Sequence, residues 1–295
     1  MTTIDIDTIE YGGWTDCLRV SNGSIELVAP TAVGPRIVHF GPTDRSNLFY
    51  EGDHLGATDR TEWTMYGGHR LWHAPESIPR TYEPDNDPLT VEQTDRGVIL
   101  TAPTEETTTI RKSITVEMAP DRPVLTVTHT LTNEGLWPIE FAPWAVSVCA
   151  DGGRAVLPME GTDPEAKLPD RSVVYWPYTE PSDDRLTRVD GHLMVDQAPG
   201  SECKVGVTSD DGWGAYVRDG VAFAKRFEPD PAATYPDAGS RFEVYVGEDF
   251  LELETLGPLA TVDPGEEVSH RETWSIETGV GMPDDAASAR ALVPE

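Results

Sequence analysis

A stretch of aromatic, charged and amide side chains between residues 61 and 88 carries the most concentrated chemistry in the sequence. Its aromatic members are Trp63, Tyr66, Trp72 and Tyr82, and its polar members include His69, Arg70, His73, Glu76 and Asn86. Aromatic rings pack against the C–H face of a sugar, while carboxylate, amide and guanidinium groups bond its hydroxyls. The cluster therefore indicates a site for a polyhydroxylated ligand, although any single ring could instead cap the core.

His69 and His73 stand four residues apart, a spacing that on a helix would resemble a zinc-binding pair. The glycine pair at 67–68 and Pro75 argue against a helix there. No third ligand is signalled nearby, so the sequence predicts neither a bound metal nor a cofactor.

Two glutamates lie on a predicted strand near residues 250–255, in the segment FLELET. Because side chains alternate along a strand, Glu252 and Glu254 share one face, and Leu251, Leu253 and Thr255 share the other. Such a pair often faces solvent in an acidic chain, but it can also present a carboxylate to a ligand.

Alternation with a period of two, rich in Val, Ile, Thr, Phe and Tyr, dominates the rest of the chain. The segments with this pattern are 24–28, 36–40, 98–102, 109–118, 124–132, 139–148, 204–208, 214–218, 221–227, 241–246, 250–255 and 268–276. The Asp-Gly pair at 219–220 predicts a tight hairpin, and residues 283–293 predict a turn or two of helix. The longest stretches without a strand pattern are 49–86 and 163–191. We therefore expect an all-β fold, a large two-sheet sandwich formed by residues 1–295 as one domain.

The composition restricts the partners and the compartment. The chain has 52 acidic and 22 basic residues, only four of them lysine, and a formal net charge of −30. This charge repels nucleic acid and anionic membranes. The sequence contains no run of 18 apolar residues, so it predicts no membrane-spanning helix. The three scattered cysteines and the acidic start of the chain predict a reducing, cytoplasmic location. The diffuse acid excess favours adaptation to high salt.

The chain resembles the galactose mutarotase-like (aldose 1-epimerase) superfamily in the order of four segments. These are SIELVAPTAVGPRIVHFG, GGHRLWHAPE, HTLTNEGLWPIEFAPWAVSV and FLELETLGPLATVDPGE. The resemblance implies a β-supersandwich with a carbohydrate in a cleft on one sheet. By position, it implies that Glu254 removes the proton of the anomeric hydroxyl and that His69 binds the sugar or protonates the ring oxygen. It further implies that Arg36 and Asp237 bind or orient the ligand.

The sequence departs from the active family pattern where the second histidine would stand. The matching stretch offers Trp144 instead, so we expect Trp144 to contact the ligand and His73 to be the alternative acid. Three hypotheses follow for a small sugar or sugar derivative as partner. They are an epimerase-like isomerase acting on a free or phosphorylated hexose, a noncatalytic carbohydrate-binding protein, and a lyase or hydrolase. The last would need a carboxylate pair about 5–10 Å apart, for which Glu76, Glu83 and Asp85 are the candidates. The sugar and the oligomeric state stay open.

Overall fold

The computed structural model describes residues 3–159, 161, 163, 165 and 167–293. The first eleven strands are β1 (Asp5–Tyr11), β2 (Trp14–Ser21), β3 (Ile25–Pro30), β4 (Arg36–Ile37), β5 (His39–Pro42), β6 (Gly68–Ala74), β7 (Thr90–Thr94), β8 (Gly97–Thr101), β9 (Ile110–Met118), β10 (Val124–Asn133) and β11 (Ile139–Ala150). The other eleven are β12 (Arg154–Pro158), β13 (Val173–Tyr175), β14 (Leu186–Val189), β15 (His192–Asp196), β16 (Cys203–Val207), β17 (Trp213–Arg218), β18 (Val221–Arg226), β19 (Phe242–Val246), β20 (Phe250–Leu256), β21 (Ala260–Val262) and β22 (Glu267–Thr278). Among the described residues, the helical elements are one 3-10 turn (Arg80–Tyr82), the four-residue α1 (Pro236–Gly239) and α2 (Ala286–Arg290). Asp237 and Ala238 of α1 have positive φ, at 50° and 57°, so α1 is an irregular turn and not a regular helix.

The strands form three antiparallel sheets. The largest has ten strands in the order β14-β15-β12-β17-β18-β22-β10-β9-β8-β7. The second has eight strands, seven in the order β13-β16-β19-β20-β11-β6-β4 with β21 paired to β11. A four-stranded sheet, β1-β2-β3-β5, completes the architecture. The predicted all-β sandwich built on large sheets is confirmed.

The main core lies between these sheets. It joins Phe223 and Trp274 of the ten-stranded sheet to Leu251 and Leu253 of the eight-stranded sheet and to Phe40 of the small one. Each is buried because alternation turns one face of its strand inward. A smaller apolar cluster on the ten-stranded sheet is covered by α2 and the residues after it. No helix among the described residues is long and apolar enough to cross a membrane.

The two long stretches that were predicted to lack strands need correction. Within 49–86 the structure has β6, an interior strand of the eight-stranded sheet, and within 163–191 it has β13 and β14. The seven residues of β6 are all buried, so the segment lacks the polar–apolar alternation that marks a half-exposed strand. The predicted hairpin is confirmed: Asp219 and Gly220 both have positive φ, at 50° and 77°, between β17 and β18.

Candidate functional site

A cleft of about 360 Å³ lies on the face of the eight-stranded sheet that points away from the main core. Its lining is mostly aromatic, with a few charged groups: Trp63, Met65, Arg70, Trp72, Glu76, Tyr82, Trp144, Trp176, Tyr178, Glu202, Lys204, Tyr245, Phe250 and Glu252. Ligand sites for small molecules combine this size and composition, with a few polar groups among apolar walls.

Strand β6 supplies one side of the cleft. Gly67 and Gly68 lead into it with φ of 85° and 70°, and a Cβ on Gly67 would lie 2.0 Å from the Tyr50 carbonyl oxygen. Only glycine fits this close approach. Alternation along the strand then turns Arg70 and Trp72 to the cleft.

Arg70 is the buried cation at one end of the cleft. Its Nη2 donates to Glu252 Oε1 at 2.9 Å, and its guanidinium lies 4.1 Å from the centre of the Trp72 ring. Its Nε and Nη1 are buried and have no hydrogen-bond partner in the described structure. Unpaired buried donors are costly, so these two N–H groups are the strongest internal sign that a ligand oxygen belongs beside them.

Lys204 and Glu254 form a charged pair under the aromatic walls. Lys204 Nζ lies 2.8 Å from Glu254 Oε2 and 2.9 Å from Glu243 Oε2, and Trp144 Nε1 donates to Glu254 Oε2 at 2.7 Å. Burial alone would lower the pKa of Lys204, but the two carboxylates raise it above its usual range. Burial raises the pKa of Glu254 and of Glu243 in spite of the lysine. The result is a cation held protonated between two carboxyl groups that retain protons readily.

Two further glutamates lie at the rim of the cleft. Glu76 accepts a hydrogen bond from the Tyr82 hydroxyl at 2.5 Å, and Glu202 accepts one from the Tyr245 hydroxyl at 2.9 Å. Both glutamates are exposed, and within the described ranges neither has a cation at ion-pair distance. The rim therefore presents free negative charge.

The structure does not bring His69 to the cleft. It lies on the opposite face of β6 from Arg70, is fully buried, and packs in a T-shaped arrangement with Trp274 in the core. The sequence-based expectation that His69 and Glu254 would flank one ligand therefore needs correction: the eight-stranded sheet separates them. None of the seven histidines, all of which lie in described positions, lines the cleft.

His69 belongs to a hydrogen-bonded line between the two large sheets. Its Nδ1 lies 2.8 Å from Ser147 Oγ, and its Nε2 lies 2.7 Å from His129 Nε2. His129 Nδ1 lies 3.1 Å from the His270 carbonyl oxygen, so it must carry a proton. His69 Nε2 then donates to His129, and Ser147 donates to His69. Burial lowers the pKa of both imidazoles, in agreement with two neutral rings.

His69, His129 and Glu272 form a group whose ligand atoms lie within 4.8 Å of one another, close enough to consider a metal ion. Other contacts argue against one. Lys225 Nζ lies 3.2 Å from Glu272, and although burial by itself raises the pKa of Glu272, this charge holds it well below its usual range. A zinc ion bound at about 2.0–2.1 Å would also need the imidazole nitrogens farther apart than 2.7 Å.

Several predicted binding residues lie away from the cleft opening. Arg36 is buried beside Tyr66 and donates to Asp85 at 2.7 Å. His73 faces the sandwich interior, 3.5 Å from Glu105. Asn86 accepts from the Tyr66 hydroxyl and donates to two loop carbonyls. Arg36 and Asn86 are held by neighbouring groups of the fold, and none of the three residues lines the cleft.

The remaining predicted residues fall into two groups. Arg70, Trp72, Glu76 and Trp144 line the cleft, whereas the half-buried Asp237 lies beside Glu243 and Lys204 beneath it. The carboxylate candidates for hydrolysis are split between two places. Glu76 is at the cleft, while Glu83 and Asp85 line a separate cavity of about 500 Å³.

Sequence reasoning missed Lys204, Glu243, Trp176, Tyr178 and Glu202 as parts of the site. Lys204 of β16 contacts both Glu243 of β19 and Glu254 of β20. Lys204 and Glu254 lie 50 positions apart in the chain. One signal was available: Lys204 is one of only four lysines and stands in an otherwise apolar strand segment, KVGV.

No family model matches the chain, and no curated protein matches it by sequence. Solved structures match over nearly its whole length at low identity. The Slr1438 protein of Synechocystis sp. PCC 6803 has 12% identity, a TM-score of 0.62, and coverage of 92% of this chain and 99% of its own. A protein of Escherichia coli K12 provisionally identified as an aldose 1-epimerase has 14% identity, a TM-score of 0.55, and coverage of 93% and 99%.

A galactose mutarotase-like protein of Lactobacillus casei has 10% identity to this chain, with a TM-score of 0.58 and coverage of 88% of this chain and all of its own. Identities this low establish shared architecture and leave activity open. The chain has the galactose mutarotase-like fold.

Proposed function

We propose that the protein binds a hexose or hexose derivative in the aromatic cleft of the eight-stranded sheet. The observation that carries this proposal is Arg70, whose buried Nε and Nη1 lack partners in the described structure and lie at a wall made by Trp72. A ligand hydroxyl oxygen would satisfy these donors, and the ring would pack against the C–H face of the same sugar. The shared fold with galactose mutarotase-like proteins supports a carbohydrate as the ligand.

Titration calorimetry with a panel of free hexoses tests the proposal, in molar KCl to keep a chain of this charge folded. We expect binding by the parent protein and a loss of about tenfold or more in Trp72→Ala, since stacking on one ring contributes about 1–2 kcal/mol. Trp137→Ala is the matched control, because Trp137 is 77% exposed in a loop outside the cleft. Equal weakening by both variants, or no binding of any hexose, would contradict the proposal.

A second candidate function is interconversion of sugar anomers with Glu254 as the base. One observation favours it: Glu254 Oε1 is buried and unpartnered in the described structure, and burial raises the pKa of this carboxyl. A raised pKa suits a group that must accept the proton of the anomeric hydroxyl. With no histidine lining the cleft, return of a proton to the ring oxygen would fall to Lys204 or to a tyrosine hydroxyl.

Polarimetry of freshly dissolved α-glucose and α-galactose separates the two candidates. Acceleration by the parent protein that is lost in Glu254→Gln, with hexose binding retained, would support catalysis. Binding with no acceleration over buffer across the panel would leave carbohydrate recognition as the function.

A further inference from the structure

We infer that the cleft selects saccharides without negative charge and prefers those that carry a basic amino group. This inference rests on the proposed function, since it concerns the class of sugar that the same cleft accepts. It follows from which charges in the cleft already have partners and which do not.

The two cations of the cleft are already paired with carboxylates. Arg70 donates to Glu252 at 2.9 Å, and Lys204 lies within 2.9 Å of both Glu254 and Glu243. An incoming phosphate or carboxylate would therefore meet two cations whose charge is already balanced by carboxylates in contact with them. Such a ligand gains little attraction and meets direct repulsion.

Two other arginines that would suit a phosphosugar lie outside the cleft. Arg36 is held by Asp85, and Arg241 is held by Asp210 at 2.9 Å. Neither lines the cleft. Each of the two cations that line the cleft thus already contacts a carboxylate.

The uncommitted charges of the cleft are negative. Among the residues that the structure describes, Tyr82 donates to Glu76 and Tyr245 donates to Glu202, and neither glutamate has a cation at ion-pair distance. Both glutamates stand at the rim, where a ligand substituent would emerge. A carboxylate with a free lone pair binds an ammonium group by a charge-assisted hydrogen bond. An amino sugar therefore gains a contact here that a neutral sugar lacks.

Arg70 does not reverse this preference. Its unpaired Nε and Nη1 can donate to a neutral sugar hydroxyl, and Glu252 already balances the charge of the guanidinium. The lining of the cleft and the layer beneath it contain two cations and six carboxyl groups, namely Glu76, Glu202, Asp237, Glu243, Glu252 and Glu254. Even with Glu243 protonated, which its raised pKa favours, the surroundings of a ligand stay negative.

Calorimetry with matched ligands tests the inference at pH 6, where the amine is charged, and at the lowest salt in which the protein stays folded. The panel is glucose, glucosamine, N-acetylglucosamine, glucose 6-phosphate and glucuronate. We expect glucosamine to bind about two- to fivefold more tightly than N-acetylglucosamine, the usual effect of one exposed ion pair. Glucose 6-phosphate and glucuronate should bind about tenfold or more weakly than glucose.

The variant Glu76→Gln/Glu202→Gln should remove the glucosamine preference, measured as the ratio of the glucosamine and N-acetylglucosamine affinities. Glu92→Gln, an exposed glutamate on β7, is the control and should leave the preference intact. Phosphorylated or acidic sugars binding as tightly as glucose would overturn the inference and still support carbohydrate binding. Equal affinity for glucosamine and N-acetylglucosamine would overturn the amine preference. Failure of every saccharide to bind would overturn the proposed function together with this inference.

Discussion

Removing the positive charge of Lys204 should strongly destabilise the protein. Lys204 is 4% exposed and Glu243 and Glu254 are fully buried, with Nζ 2.8–2.9 Å from an oxygen of each. Taking one partner from a buried ion pair costs roughly 3–5 kcal/mol because a carboxylate is left without compensation. In Lys204→Met this corresponds to an unfolding constant about a hundred- to several-thousandfold larger, at about 1.4 kcal/mol per tenfold.

The effect of Lys204→Met should depend on pH with a definite sign. The raised pKa of Lys204 means that its stabilising contribution is complete below its unfolded value and is lost only at alkaline pH. In the variant, burial without the lysine raises the carboxyl pKa values further, so the folded protein takes up protons. The difference from the parent protein should therefore be small near pH 5 and should grow towards pH 8.

Urea unfolding followed by tryptophan fluorescence measures this difference in constant molar KCl. Lys167→Met, a substitution of an exposed lysine, is the matched control. The triple variant Lys204→Met/Glu243→Gln/Glu254→Gln should recover part of the lost free energy of unfolding, since it removes the unpaired carboxylates. A loss below about 1 kcal/mol, or a loss independent of pH, would refute the view that Lys204 compensates two buried carboxyl groups.

Other predictions concern salt, acid and the ligand. The melting temperature should rise between 0.1 M and 3 M KCl, because salt screens the self-repulsion of a chain with net charge −30; an unchanged value would count against salt adaptation. Burial lowers the pKa of His69 and takes that of His129 to about 3, so the free energy of unfolding should fall as pH drops below about 6.5, by up to about 1.4 kcal/mol per unit for each histidine. Urea titrations from pH 7 to 5 should give a shallower slope in His129→Gln, and an identical slope would contradict the neutral pair. Arg70→Met should weaken hexose binding by about tenfold, measured by calorimetry, while the exposed Arg96→Met should not.

Sequence alternation predicted side-chain direction best where one face of a strand packs in the main core and the other faces the candidate site. In the segment 250–255, alternation placed Glu254 opposite Leu253 and Thr255, as the structure confirms. The same reasoning failed for β6, because both of its faces are covered and it carries His69, Arg70 and His73 in place of an apolar pattern. Once β6 is known to be a strand, the period of two assigns His69 and Arg70 to opposite faces.

The pairing of Lys204 with Glu254 could not be read from spacing. It depends on which strands become neighbours, and β16 and β20 lie on either side of β19 in the sheet. Local patterns report the direction of a side chain but not the strand order, which non-local pairings decide. The partners that compensate the buried charges of the candidate site therefore cannot be predicted from sequence spacing.

The line from Ser147 through His69 and His129 to the His270 carbonyl has a consequence for how the two large sheets are aligned. Apolar side chains between sheets tolerate small lateral displacements, since dispersion contacts have little directionality. Two imidazoles that meet through single nitrogen atoms do not, because a shift of one strand residue would leave buried donors and acceptors without partners. In His129→Leu we therefore expect both sheets to stay folded while their relative alignment becomes less fixed. Near-ultraviolet circular dichroism should weaken, and far-ultraviolet circular dichroism should be retained. A variant with an unchanged near-ultraviolet spectrum would show that the apolar core sets the alignment alone.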